Sequence, residues 1–204
     1  MLRAVFLAFV MGIALVPQAR AQTAEQGVCF VVSVDGAAEV SARGAGRFAA
    51  RVGLGIGRNA TLRTGSDTRV TLDCDGDLRV VVGPASEISV ASVLDSAPRT
   101  FRMRLLRGIA GFLFDGPDRD KTIQVRTPSA VAAVRSTQWA MRITEGASAV
   151  FARRGAVFVF GETGRVQLGP GDGVDVAADG TIGPVVQWGQ ARIDLFAELL
   201  GPDW

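Results

Sequence analysis

Histidine and tyrosine are absent from this 204-residue chain, and lysine occurs once, at Lys121, among 22 basic residues that are otherwise arginine. Without histidine, the commonest general base and metal ligand at neutral pH is missing. No Ser–His or Cys–His nucleophile can be assembled. A pair of carboxylates is the catalytic device still open to the chain, and separation in space decides whether two acids can act together. The aromatic residues are 11 Phe and 3 Trp, placed like core rather than around the acids. The composition therefore leans away from an enzyme.

Cysteine is scarce, with Cys29 and Cys74 alone. In an oxidising compartment such a pair can bridge. Two buried thiols acting as small hydrophobes is the other reading. The spacing does not choose between them.

Long apolar runs are equally scarce. The one present, Ala4–Val16, follows Arg3 and is broken by Pro17, and Ala19-Arg20-Ala21 supplies small residues at the −3 and −1 positions of a signal-peptidase site. This is the grammar of a cleavable secretory signal over residues 1–21, with the cut between Ala21 and Gln22. The run is shorter than the ~20 residues a spanning helix needs. The expectation is export, with no stable membrane anchor after cleavage. Cleavage would remove Arg3 and Arg20, bringing the basic residues into balance with the 20 acidic ones. A neutral chain has no broad field for nucleic acid.

What is present is period-two alternation broken by turn residues. Val28–Val34, Arg69–Leu72, Leu78–Val82, Glu87–Val90, Phe101–Leu106, Ile109–Phe114, Thr122–Arg126, Gln138–Ile143, Ala147–Ala152, Ala156–Phe160, Arg165–Leu168, Gly173–Val176 and Thr181-Ile182 read as strands. Asp35-Gly36 and Asp75-Gly76 carry the Asp-Gly hairpin signal. Most of the 25 glycines fall between the runs, where turns need positive φ. The fold class is all-β: a single domain over residues 27–183, solenoid, roll or sandwich-like. A short helix over 186–200 follows, with Trp188, Ala191, Leu195, Phe196, Leu199 and Leu200 at helical spacing, expected to cover an open end of the β domain.

Several segments invite a chemical reading. Asp73-Cys74-Asp75-Gly76-Asp77 opens like a calcium loop, but Val82 stands where the closing Glu would be. Gly169-Pro170-Gly171-Asp172-Gly173-Val174-Asp175 is a single copy of a pattern that binds calcium in tandem. Gly53-Leu54-Gly55-Ile56-Gly57 lacks the helix start and Lys-Ser/Thr ending of a phosphate loop. All three read as turns, so neither cofactor nor metal is expected. Arg102 and Arg104 would share one strand face, opposite Phe101, Met103 and Leu105. That face is either solvated or a patch for an acidic partner.

Thr127-Pro128-Ser129-Ala130-Val131-Ala132-Ala133-Val134-Arg135-Ser136-Thr137 resembles the Thr-Pro-x-Ala-x-Ala-x-x-Arg-Gly-Thr signature of FecR-type domains, with Ser136 where glycine is usual. Thr64-Gly65-Ser66-Asp67, Gly83-Pro84-Ala85-Ser86 and Leu106-Arg107-Gly108 with Phe112 resemble earlier steps of the same family, over residues 46–168. In this motif Thr127, Pro128, Arg135, Ser136 and Thr137 are read as structural, with Arg135 as a clamp if buried. The resemblance implies a periplasmic signalling domain whose partner is an envelope protein, a membrane sensor or an outer-membrane receptor. The family's sigma-binding segment has no counterpart in the residues matched. A glycan- or peptidoglycan-binding envelope domain is the alternative.

Overall fold

The computed structural model describes residues 28–42, 44, 46–90, 100–115, 121–135, 137–202 and 204. The expected signal segment, with Ala21 and Gln22, and Ser136 lie outside the described residues. The elements are β1 (Cys29–Asp35), β2 (Ala38–Ala42), β3 (Gly46–Ala49), β4 (Gly55–Ile56), β5 (Thr61–Thr64), β6 (Arg69–Cys74), β7 (Leu78–Val82), β8 (Glu87–Val90), β9 (Thr100–Phe114), β10 (Thr122–Arg126), β11 (Val131–Val134), β12 (Thr137–Thr144), β13 (Ala147–Arg154), β14 (Val157–Gly161), β15 (Gly164–Leu168), β16 (Asp172–Val176), β17 (Val186–Gln187) and α1 (Gln190–Leu200).

The protein is all-β with one short C-terminal helix, as its alternation indicates. The strands form two open layers that share β9. One runs β4–β1–β6–β7–β9–β12–β13–β16–β17 and the other β3–β2–β5–β8–β9–β10–β11–β14–β15. All neighbours are antiparallel except β9 and β10. The first half of β9 pairs with β8 and β10, and the second half with β7 and β12. The layers enclose one core, sandwich-like, in which Phe112 stacks on Trp139 at 4.8 Å.

The two separate strands expected at Phe101–Leu106 and Ile109–Phe114 are thus one. Gly108, at φ +79°, sits at the crossing between layers. A β-carbon there would lie 2.2 Å from Ser86 Oγ. Ser86 is fully buried, and its hydroxyl accepts from Ile109 N–H at 2.8 Å. Glycine lets the backbone close onto that serine.

Only one of the two Asp-Gly signals makes a hairpin. Asp75 and Gly76, at φ 51° and 80°, join β6 to β7 with both central residues left-handed. Asp35-Gly36 instead carries the chain from one layer to the other. It is fixed there by a 2.9 Å bond from Ala37 N–H to Thr68 Oγ1.

The C-terminal segment departs from expectation in two ways. Val186–Gln187 adds to the sheet edge as β17, and α1 begins only at Gln190, so Trp188 precedes the helix. The helix also covers a sheet face, not an open end. Phe196, Leu200, Trp188 and Trp204 pack on Val81, Ile109, Ala140 and Phe151 as a second apolar cluster. Arg69 ties the helix end down, donating to Leu199 O at 3.2 Å and Glu198 O at 3.1 Å. Among the described residues no helix is long and apolar enough to cross a membrane.

Candidate partner-binding face

Strand alternation sends Phe101, Met103 and Leu105 into the core and leaves Arg102 and Arg104 exposed. Ladder register then decides their neighbours. Arg104 lies beside Arg126, Arg126 beside Val131, Val131 beside Phe160, and Phe160 beside Arg165. The parallel row runs Arg102, Gln124, Ala133, Phe158, Gln167. Arg102 Nε donates to Gln124 Oε1 at 3.3 Å.

The outer face of these five strands is therefore basic at both ends and apolar in the middle. Phe158 and Phe160 are 41% and 38% exposed, an unusual placement for two adjacent phenylalanines. None of β9, β10, β11, β14 and β15 contains an Asp or Glu. The acid at the border, Glu87 on β8, is already engaged by Arg63 at 2.7 Å and Arg107 at 3.6 Å. Its hydrogen bond raises the Arg63 pKa above the ordinary arginine value, against the opposing effect of burial. At the other end Glu162 lies in the β14–β15 turn, packed beside Gly180.

Sequence reasoning finds Arg102 and Arg104 by alternation and misses Arg126, Arg165, Phe158 and Phe160. The signal for the phenylalanines was available: Val157, Val159 and Phe158, Phe160 alternate, and only one pair can face the core.

The motif residues sit at the β10–β11 turn and at the start of β12. Thr127 is buried at the β10–β11 turn, where its hydroxyl accepts from Ala130 N–H at 2.9 Å. Ser148 Oγ lies 2.7 Å from both Thr127 Oγ1 and Ser129 Oγ, linking the turn to β13. Pro128 is exposed at the turn tip. Thr137 Oγ1 is within 3.1 Å of Arg135 O and 3.3 Å of Ala156 O. The expected clamp by a buried Arg135 is not formed. Its side chain is exposed past the end of β11, and its carbonyl, not its guanidinium, is what the motif holds.

Cys29 and Cys74 stand directly opposite each other on β1 and β6 and are joined by a disulfide, both fully buried. The three acids of 73–77 do not converge. Asp73 pairs with Arg79, while Asp75 and Asp77 pair with Lys121. Among the described residues no group of three His, Cys, Asp or Glu could hold a metal. Asp172 serves its own turn, accepting from Gly169 N–H at 2.8 Å.

Residues 60–158 match the family model described as FecR protein. The chain carries a FecR domain. That span runs from β5 to β14 and includes β9, the Thr127–Thr137 motif and most of the basic face. Two crystal structures from Parabacteroides distasonis, of proteins provisionally named anti-sigma factors, share the fold. One is 17% identical with a TM-score of 0.57, covering 69% of this chain and 65% of its own. The other is 17% identical with a TM-score of 0.53, covering 62% and 57%. This chain thus spans less than two thirds of the solved proteins it resembles. No curated protein matches it by sequence.

Proposed function

We propose that this FecR-domain chain is a periplasmic binding module in envelope signalling, acting through protein contacts and not as an enzyme. The single observation that carries the reading is the acid-free Arg/Phe face formed by β9, β10, β11, β14 and β15. Arginine and aromatic residues around a partly exposed apolar centre are the composition of protein-binding hot spots. The FecR domain and the anti-sigma-factor names of its structural neighbours support a signalling context. The signal sequence supports the compartment, and an envelope sensor or receptor is the kind of partner that compartment offers. The test is affinity capture from envelope extract with the exported chain, against the same chain carrying Phe158→Ser and Phe160→Ser. A specific protein held by the first and lost by the second is expected. Capture that is identical for both would remove the face from the account.

A second reading rests on the same arginines. Arg102, Arg104, Arg126 and Arg165 could hold an anionic envelope polymer. Co-sedimentation with purified sacculi separates the two, because a polymer binder pellets without any protein partner.

A further inference from the structure

The arrangement of the face says more than that it binds protein. We infer that it takes an extended acidic segment of the partner, with the pattern acid–x–apolar–x–acid, laid across the strands. The inference rests on the protein-contact reading above and specifies its chemistry.

Neighbouring strands lie about 4.8 Å apart. Arg126 on β10 and Arg165 on β15 are separated by β11 and β14, three steps, so their Cα atoms stand ~14 Å apart across the sheet. An extended chain advances about 3.4 Å per residue, so four residues span that distance. Residues i, i+2 and i+4 of an extended segment also point to the same side. A segment crossing the face thus places an acid at i on Arg126, an apolar side chain at i+2 on Phe160 and Val131, and an acid at i+4 on Arg165. Arg104, next to Arg126 in the same row, offers the first carboxylate a second guanidinium.

Charge alone does not explain the centre. A polyanion needs arginines but has no use for two phenylalanines exposed between them. Carboxylates have fixed acceptor geometry that arginine matches with two donors, and an apolar side chain between them would cover the exposed rings. A second copy of this chain does not fit. Asp194-Leu195-Phe196-Ala197-Glu198 has the required spacing but lies in α1 with Phe196 buried, and segments 35–39 and 175–179 carry only an alanine at the centre, with Asp35 paired to Arg69 and Asp175 to Arg192.

Fluorescence anisotropy with a labelled peptide Thr-Asp-Thr-Leu-Thr-Asp-Thr tests the pattern on the exported chain. Saturable binding is expected, at least tenfold weaker when the central Leu becomes Ser or the protein carries Phe160→Ser. Arg165→Glu should weaken binding by a similar factor, and a peptide with Lys in place of its second Asp should restore it. Circular dichroism of each variant checks folding. Absence of saturable binding, equal binding of hepta-glutamate, or failure of the charge swap would overturn the inference. Benzoylphenylalanine at Phe160 and, as control, at the exposed Arg79 on the other layer extends the test to envelope extract. Cross-links to a protein from position 79 alone would overturn this face and leave the protein-contact function standing. No protein cross-link from either position would count against both. A cross-link from position 160 to a segment that mass spectrometry shows to carry acid–x–apolar–x–acid supports the inference.

Discussion

The indole of Trp204 occupies the space where a side chain on Gly111 would stand. A β-carbon on Gly111 would lie 2.2 Å from Trp204 Cδ1. The same indole donates from Nε1 to Trp139 O at 3.1 Å, and Arg153 donates to the Trp204 backbone oxygen at 3.1 Å. A glycine in the second half of β9 thus leaves room for the segment after α1 to seat against the outer sheet face.

Gly111→Ala should therefore act as an overpacking substitution. It is expected to destabilise by about 1–3 kcal/mol. Urea unfolding should show a lower midpoint with little change in slope. The informative control is the double mutant with Trp204→Ala, in which the alanine no longer meets an indole. If Gly111→Ala costs as much there as in the wild type, Trp204 is not what it meets.

Thr127→Val tests the motif. The substitution keeps shape but removes the acceptor for Ala130 N–H and the contact with Ser148, both buried. An unsatisfied buried donor costs about 1–3 kcal/mol. Thr127→Ser retains the hydroxyl and should lose far less. Because Arg135 is exposed, Arg135→Ala should change stability by less than about 0.5 kcal/mol. A reversed order of the Val and Ala effects in thermal melts would restore the clamp role to Arg135.

The contrast between Thr127 and Arg135 marks how far the sequence could be read. Alternation shows that the chain is all-β and which side of Arg102 and Arg104 is buried, because period two is a local property. Local pattern does not tell that Gly108 is a crossing within one strand, since a glycine after two polar-facing positions reads equally as a turn. It does not place Val186–Gln187, whose strand exists only because β16 lies alongside. Nor does it collect Arg126, Phe160 and Arg165 into one row. Those residues come from strands separated by up to about forty positions, and their adjacency is a matter of register across four strands.

The disulfide offers a third test. Cys29 and Cys74 close a loop with a sequence separation of 45. By the chain-entropy relation this contributes about 4 kcal/mol, acting on the unfolded chain. The Cys29→Ala, Cys74→Ala double variant should unfold at correspondingly lower urea. Both sulfurs are enclosed by the core, so dithiothreitol should leave the native protein bridged and reduce it only as urea opens the fold. Rapid reduction without denaturant, followed by alkylation in intact-mass measurement, would contradict that burial.

The last prediction concerns the one lysine. Lys121 is 5% exposed and lies against the rings of Phe114 and Phe101, 5.5 and 6.0 Å from their centroids. Its ammonium pairs with Asp77 and, at 2.9 Å, with Asp75. The Asp77 side chain is 18% exposed and that of Asp75 58%, so the two acids are not equivalent. Lys121→Met fits the apolar stem but leaves the Asp77 carboxylate largely buried without its cation. Breaking one side of a buried pair costs roughly 3–5 kcal/mol, and the partial exposure of Asp77 puts the expected loss at the lower end. Asp75→Asn should cost less than about 1 kcal/mol, as for other exposed pairs. Salt separates the cases further. At 1 M NaCl the Asp75 contribution should vanish, whereas the deficit of Lys121→Met should persist, because screening acts weakly on buried charges. A Lys121→Met deficit that disappears in high salt would place the ammonium in solvent instead of between the hairpin tip and the two phenylalanines.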